Sequence, residues 1–228
     1  MKMIKKELFM YIPKLRRIAE ALKEIKEQDP DTVLTRHFIE ELIHKNEITA
    51  LKYGDAWLIN LDELYYYMTA QKDEYEPQEN TYPLPRQMVS SGELFRLFIE
   101  NDTGTIVRRP NLRRFVKSNG IHYFVNELGY WVIDGKDFLQ KVNPKNISFT
   151  VKMPRMRWHD DSVRNFQRRH PNIRITLKML EEILRTDEVF STLNGRRWIL
   201  NYDELEREAL SKSHKIITQT NNYTENKK

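Results

Sequence analysis

The sequence predicts an α+β protein made of three tandem copies of one unit, each in the order helix, helix, β-hairpin, helix. An apolar residue, a proline and a basic residue begin each copy, at 12–14, 84–86 and 153–155. A tryptophan followed by two aliphatic residues comes later in each copy, at Trp57, Trp131 and Trp198. From proline to tryptophan the first and third copies span 44 residues and the second spans 46. A pattern that recurs at a fixed spacing indicates a repeated structural unit.

Apolar residues at spacings of three and four predict the first helix of each copy. The apolar positions are Leu15, Ile18, Leu22 and Ile25 in copy one, Leu94, Phe95 and Phe98 in copy two, and Met156, Val163 and Phe166 in copy three. A loop that contains proline or glycine ends this helix at Asp29–Pro30, Thr103–Gly104 and His170–Pro171.

The second helix of each copy follows a signal for a helix N-terminus. Thr35 and Thr176 are suited to cap the helix in copies one and three, and Pro110 suits the first turn in copy two. The apolar face is Phe38, Ile39, Leu42 and Ile43 in copy one, Leu112, Phe115 and Val116 in copy two, and Met179, Leu180, Ile183 and Leu184 in copy three.

A β-hairpin and a short helix complete each copy. The hairpin turn is marked by glycine, at Gly54, Gly129 and Gly195. The second strand carries the tryptophan, which we expect to lie in the core. A capping side chain stands three residues before a carboxylate in the pairs Asn60 and Glu63, Asp134 and Asp137, and Asn201 and Glu204. This spacing predicts a capping box, in which each side chain bonds the backbone N–H of the other residue.

The repeats set the predicted domain boundaries. The three units occupy 1–70, 85–142 and 154–210, each near the lower size limit for folding alone. The segments 71–84 and 143–153 are predicted linkers, and an alternating pattern at 147–151 in the second linker predicts a strand. Residues 211–228 are polar, which predicts a disordered tail.

Composition excludes several classes of protein. The chain has no cysteine, which rules out disulfides and cysteine nucleophiles and favours a reducing, cytoplasmic location. With only seven glycines it lacks the glycine-rich loops that hold nucleotide phosphates, so we expect no cofactor. No run of about 18 apolar residues predicts a membrane span, and the N-terminus does not resemble a signal peptide.

We expect no catalytic site and no metal site. His37, Glu41 and His44 share a helix face, but a metal site needs more ligands, and we interpret them as surface polar residues. No serine elbow, carboxylate pair or nucleophile–base set is recognisable from spacing. The run Tyr65–Tyr67 is interpreted as a packing or protein-contact surface.

The stretch from Leu34 to Leu64 resembles the winged helix-turn-helix of the excisionase family, which is related to the MerR-like DNA-binding domains. It has that family's threonine cap, glycine hairpin, aromatic strand and short helix with aspartate and leucine. Residues 25–35 also resemble a variant found on mobile elements of Gram-positive bacteria. The resemblance covers copies one and three well and copy two loosely, and it implies three tandem winged helix-turn-helix units. It further implies that the second helix enters the major groove of double-stranded DNA and the hairpin wing touches the backbone or minor groove.

The charge distribution favours copy two as the main DNA contact. The chain has a net charge of +5, and residues 85–142 carry a net +3. Side chains suited to phosphates or base edges are concentrated on the second helix and its cap, at Arg108, Arg109, Asn111, Arg113, Arg114 and Lys117.

The other two copies offer fewer candidates for DNA contact. In copy three they are Arg174, Lys178 and Arg185 on the second helix and Arg196 and Arg197 at the hairpin tip. An arginine pair at a wing tip suits a phosphate or minor-groove contact. In copy one they are Arg36 and Lys45, beside Glu40 and Glu41, whose face we expect to point to solvent.

Two kinds of function are expected from these features. The resemblance implies a non-catalytic DNA-binding protein, either a recombination directionality factor that works beside an integrase or a transcription regulator of a mobile element. The alternative is a protein-interaction module, such as a phage or plasmid anti-defence protein built on the same repeated fold. In that case the acidic first copy or Tyr65–Tyr67 would dock the partner. Neither function involves a small-molecule substrate or a membrane.

Overall fold

A computed structural model describes residues 12–70, 88–145, 147, 152–173 and 175–225 of the 228-residue chain. The architecture is mixed α+β, as predicted. Each copy contains a strand, two helices, two further strands and a final helix, and its three strands form one antiparallel sheet. The same order of elements therefore occurs three times.

The elements of the three copies correspond one to one. Copy one contains β1 (Leu15–Arg17), α1 (Ile18–Gln28), α2 (Arg36–His44), β2 (Ala50–Tyr53), β3 (Ala56–Asn60) and α3 (Leu61–Tyr67). Copy two contains β4 (Met88–Ser90), α4 (Ser91–Asn101), α5 (Arg109–Ser118), β5 (Tyr123–Val125), β6 (Trp131–Asp134) and α6 (Gly135–Val142). Copy three contains β7 (Met156–Trp158), α7 (His159–Arg169), α8 (Leu177–Leu184), β8 (Ser191–Asn194), β9 (Arg197–Asn201) and α9 (Tyr202–Glu225). The strand orders are β1-β3-β2, β4-β6-β5 and β7-β9-β8.

The first strand of each copy was not predicted, and the assignment of Leu15 and Met156 to the first helix was wrong. These residues lie in β1 and β7, which pair antiparallel with the central strands, so that Leu15 is opposite Asn60 and Met156 is opposite Asn201. Strand β4 pairs with β6 in the same way. A strand of three residues is too short to show an alternating pattern, so its apolar residue is easily counted in the helical spacing that follows.

The predicted helix caps are confirmed, but the predicted capping boxes do not form. The backbone N–H of Glu63, Asp137 and Glu204 donates to the side chain of Asn60, Asp134 and Asn201, at 3.0, 3.1 and 3.3 Å. The carboxylates of Glu63, Asp137 and Glu204 accept instead from the backbone N–H of Thr49, His122 and Phe190, at 3.1, 2.7 and 2.8 Å. Each carboxylate therefore ties its helix to the residue that leads into the hairpin.

The expectation that the tryptophans lie in the core is right for one copy and wrong for two. Trp131 is 9% exposed, whereas Trp57 is 44% exposed and Trp198 is 51% exposed. Trp57 lies opposite Lys52 in the sheet, and the Lys52 ammonium is 4.2 Å from the centre of its ring. The core contacts of copies one and three come from the aliphatic residues after the tryptophan, such as Leu58 and Ile199.

The described residues form two compact units, which do not coincide with the three predicted domains. Residues 12–23, 39–64, 88–145 and 147 form unit one, and residues 24–38, 65–70, 152–173 and 175–225 form unit two. The core of unit one combines residues of copy one, such as Tyr53 and Leu58, with Phe98, Phe115 and Phe138 of copy two. Copy one therefore shares a hydrophobic core with copy two.

A buried ion pair joins copies one and two inside unit one. Arg16 and Asp102 are 6% and 7% exposed, and their side chains pair bidentately, with Nη2 donating to Oδ1 at 3.0 Å. Asp102 is the C-cap residue that follows α4. Asn60 Nδ2 adds a hydrogen bond of 3.2 Å to the carbonyl of Val142 at the end of α6.

The same positions join copies three and one inside unit two. The two terminal guanidinium nitrogens of Arg157, Nη1 and Nη2, donate to the carboxylate of Asp29 at 2.6 Å, and Asn201 Nδ2 donates to the carbonyl of Met68 at 3.1 Å. Arg157 and Asn201 occupy the positions of Arg16 and Asn60 in the repeat. The corresponding residues of copy two are Val89 and Asp134, and copy three has His170 where copies one and two have the aspartate.

The structure describes only parts of the predicted linkers and most of the predicted tail. The segment 71–84 lies outside the described residues, and so does the predicted strand at 147–151 apart from Ile147, which is buried. Asn143 exchanges two hydrogen bonds with the backbone of Ile147, at 2.8 and 3.0 Å. The predicted disordered tail differs from the structure, in which α9 continues to Glu225. Within the described residues no helix is long and apolar enough to cross a membrane.

Candidate nucleic-acid interface

Helix α5 of copy two presents one apolar face and one cationic face. Pro110 lies in its first turn, as predicted, and Leu112, Phe115 and Val116 are buried in the core of unit one. The cations Arg108, Arg109, Arg113, Arg114 and Lys117 are all exposed, and the helix contains no acidic residue. Because the three buried positions fix the rotation of the helix, the cations are directed to solvent.

The charges of this helix are not neutralised by carboxylates. Within the described residues none of the five cations forms an ion pair. The Arg113 guanidinium and the Lys117 ammonium lie 5.4 and 5.2 Å from the centre of the Trp131 ring, and Tyr123 stacks on the same ring at 4.1 Å. A cation above an aromatic ring keeps its charge, so the two side chains are held in place and remain able to bind an anion.

Asn111, predicted as a DNA contact, is engaged within the protein. Its Nδ2 donates to the hydroxyl of Tyr53 at 3.3 Å, and the backbone N–H of Arg108 donates to the same hydroxyl at 3.1 Å. The Tyr53 hydroxyl in turn donates to the carbonyl of Ile106 at 3.1 Å. These bonds attach the hairpin of copy one to the N-terminal end of α5.

A second attachment lies at the other end of α5. Asn119 Oδ1 accepts from the backbone N–H of Lys52 at 2.8 Å, and Asn119 Nδ2 donates to the carbonyl of Lys52 at 2.9 Å. Lys52 is in β2, the outer strand of its sheet. The hairpin of copy one is thus fixed to both ends of the cationic helix.

The predicted site residues of copy three differ in exposure and in ion pairing. Lys178, Arg185 and Arg196 are exposed, and the exposed Glu181 and Glu182 share helix α8 with Lys178. Arg197 forms ion pairs with Asp160 at 3.1 Å and Asp161 at 3.8 Å and lies 4.3 Å from the centre of the Trp158 ring. Arg174 lies outside the described residues. The wing tip of copy three therefore offers Arg196, with Arg197 already paired.

In copy one the predicted residues Arg36 and Lys45 are exposed, at the first residue of α2 and just after its last. Glu40 and Glu41 are half-buried, so the expectation that their face points to solvent is met only in part. A further cation of copy one, Arg17, is exposed beside Tyr53, with its guanidinium carbon 5.9 Å from the centre of the ring. Sequence reasoning missed Arg17 because it assigned the segment to a helix.

The hairpin of copy two differs from a cationic wing. Residues 121–134 contain no lysine or arginine. The exposed large side chains of this hairpin are Tyr123, Phe124, Val125, Leu128 and Tyr130. Strand β5 is also the outer strand of its sheet. An apolar hairpin without cations is not suited to phosphate contact. The longer spacing from proline to tryptophan in copy two did not reveal this difference in side chains.

Helix α9 of copy three carries a cluster of charges around Glu206. Burial alone would raise the pKa of Glu206, but hydrogen bonds from His170 at 2.9 Å and Arg155 at 2.7 Å lower it. Burial opposes the charge of Arg155, yet its bonds to Asp203 and Glu206 raise its pKa. The members of this cluster neutralise one another. Within the part of the chain that the structure describes, no three histidine or acidic side chains are placed to hold a metal ion.

Comparison with known proteins identifies no relative of the chain: no protein-family model, no curated protein and no solved structure matches it. The assignment of a function therefore depends on the residues of the interface themselves.

Proposed function

We propose that the chain binds double-stranded DNA without catalysis, with helix α5 as the principal contact. The observation that carries this proposal is the row of five exposed cations on α5 and its N-cap, none of which is paired with a carboxylate among the described residues. Arginine and lysine on an exposed helix contact phosphates, and arginine also pairs with guanine in the major groove. The net charge of +3 over residues 85–142 supports the same assignment.

The order of elements gives further support. In each copy two helices precede a hairpin and a final helix, which is the order that the excisionase-like resemblance implies. Under this proposal the copies are three tandem winged helix-turn-helix units, and α2, α5 and α8 are their second helices. The biological role is that of a recombination directionality factor, which would also contact an integrase, or of a transcription regulator of a mobile element.

Fluorescence anisotropy with a labelled duplex of about 40 base pairs of random sequence tests the proposal. The protein should bind at low salt, and the affinity should fall steeply as salt rises, because bound cations displace counterions from phosphates. Replacing Arg113 and Arg114 by alanine should weaken binding and reduce the slope of log K against log salt by about 2. The matched control is R96A/K141A, which removes two exposed cations from α4 and α6 of the same unit.

Two results would count against the proposal in different ways. Failure of the wild-type protein to bind the duplex at about 50 mM salt would exclude general DNA binding. Equal loss of affinity in the α5 variant and the control would show that binding depends on net charge and not on this helix.

A protein-interaction module is the second candidate, and the apolar hairpin of copy two favours it. Five large side chains are exposed on this hairpin, from Tyr123 to Tyr130, and among the described strands β5 is an outer strand of its sheet. Exposed apolar patches and open sheet edges are where proteins associate. A self-association or partner complex that is lost in F124S/L128S, in a protein that does not bind duplex DNA, would support this candidate over the first.

A further inference from the structure

The structure contains a cleft between the hairpin turn of copy one and helix α5 of copy two. Both belong to unit one. The cleft has a volume of about 420 Å³, and its polar lining consists of Arg17, Tyr53, Gly54, Asp55, Asn111 and Arg114. Two arginines and one aspartate thus line a space large enough for a small anion.

We propose that this cleft is a phosphate-binding site for the DNA backbone, in which Arg17 of copy one acts together with Arg114 of α5. The inference rests on the proposed function and extends it, because it transfers the DNA contact of copy one from α2 to β1. Guanidinium groups bind phosphate through paired hydrogen bonds, and two of them from different repeats would hold one phosphate from two sides.

The charges of the cleft are available for a ligand. Within the described residues Asp55 forms no ion pair with Arg17 or Arg114, although all three line the cleft. The side chains of Arg17, Asp55 and Arg114 are exposed. A phosphate would therefore meet two uncompensated guanidinium groups and one carboxylate that opposes its binding.

The walls of the cleft are held at a fixed separation. Tyr53 is buried, and its hydroxyl is bonded to the backbone of Ile106 and Arg108 and to Asn111, so the hairpin turn cannot move away from α5 without breaking these bonds. The Asn119 pair at Lys52 adds two more bonds. A site formed before the ligand arrives loses less entropy on binding.

The combination of Arg17, Tyr53 and Arg114 is particular to copies one and two. In copies two and three the position of Arg17 is occupied by Ser90 and Trp158, and the position of Tyr53 by Asn126 and Asn194. Arg114 is the sixth residue of α5, and the sixth residues of α2 and α8 are Glu41 and Glu182. The sequence repeat therefore provides this set of residues once.

Two substitutions of opposite expected effect test the site in the full-length protein. R17A should weaken binding to the labelled duplex several-fold and reduce the slope of log K against log salt by about 0.9, the value for one phosphate contact. D55N should tighten binding to the same duplex, because it removes the one carboxylate of the cleft. R96A serves as the matched control, since Arg96 is also an exposed arginine of unit one, lies on α4 and pairs with Glu100. The melting temperature of each variant should remain that of the wild type.

The outcomes separate this inference from the proposed function. If the wild type binds DNA but R17A and R96A behave alike, or D55N does not tighten binding, the cleft is not a phosphate site and the DNA-binding proposal stands. If the wild type does not bind DNA, both fail. If inorganic phosphate raises the melting temperature of the wild type but not of R17A, while both bind DNA equally, the cleft takes free phosphate and the inference is overturned.

Discussion

At the scale of single residues, two buried arginine–aspartate pairs hold the repeats together. Arg157 and Asp29 are both almost fully buried, and two hydrogen bonds of 2.6 Å join them. A buried charge that loses its partner remains desolvated and unpaired, which costs far more than the loss of an exposed ion pair. Each pair therefore makes the contact between two copies sensitive to the loss of either partner.

Removal of Asp29 should destabilise unit two strongly. We expect D29A to lower the free energy of unfolding by about 3 kcal/mol, because Arg157 would remain buried without its carboxylate. Urea denaturation followed by circular dichroism measures this change. The matched control D31A removes an exposed aspartate two residues away and should change the free energy by less than about 0.5 kcal/mol.

The double variant D29L/R157M distinguishes a pairing effect from simple loss of packing. Apolar residues of similar size remove both charges together, so most of the lost stability should return. A double variant as unstable as D29A would show that the pair is not the source of the effect.

At the scale of elements, the last helix of each copy is tied to the hairpin through one carboxylate. Glu204 is 4% exposed and accepts from the backbone N–H of both Phe190 and Ala70, each at 2.8 Å. Asp137 of copy two accepts from His122 and is less deeply buried. The carboxylate at this position is therefore more deeply buried in copy three than in copy two, and among the described residues it accepts two backbone hydrogen bonds there instead of one.

Neutralising this carboxylate should cost more in copy three than in copy two. We expect E204Q to lower the free energy of unfolding by about 2 kcal/mol, since hydrogen bonds to a charged acceptor contribute about 1.5–3 kcal/mol and this one is buried. D137N should cost less than about 1 kcal/mol, because water can replace the lost interaction. Denaturation curves of the two variants side by side test the order, and a larger effect of D137N would contradict it.

Sequence reasoning succeeded where the signal is local and failed where it depends on other copies. The threonine and asparagine caps, the glycine turns and the helices were predicted because each needs only neighbouring residues, as at Asn60 and Gly54. The direction of Glu63 toward Thr49 and the exposure of Trp57 depend on the sheet, which was incomplete without β1. Of the candidate site, the cations of α5 were predicted by composition, whereas Arg17 belongs to the site only because copy one is fixed to copy two.

At the scale of the whole molecule, copy one takes part in both compact units. It supplies Arg16 to the ion pair in unit one and Asp29 to the ion pair in unit two. In the repeat Arg16 corresponds to Arg157, and Asp29 corresponds to Asp102. Its sheet residues, among them Leu15 and Leu58, lie in the core of unit one. Copy one is therefore joined to copy two through Arg16 and to copy three through Asp29.

Deletion of copy one should therefore destabilise both remaining copies. In a chain of residues 71–228, Asp102 loses Arg16 and Arg157 loses Asp29, and the apolar residues of copy two that pack on Tyr53 and Leu58 become exposed. The loss of these contacts removes part of the stability of each remaining copy, and the whole stability of a small domain is only about 5–15 kcal/mol. Amide hydrogen exchange should be faster in both β6 and β9 than in the full chain, and urea unfolding should shift to a lower urea concentration.

Addition of residues 1–70 as a separate polypeptide should reverse both changes, because it restores the two arginine–aspartate pairs. Unchanged unfolding of the shortened chain would mean that copies two and three fold independently, and the joins would then be contacts between finished domains, not part of their folding.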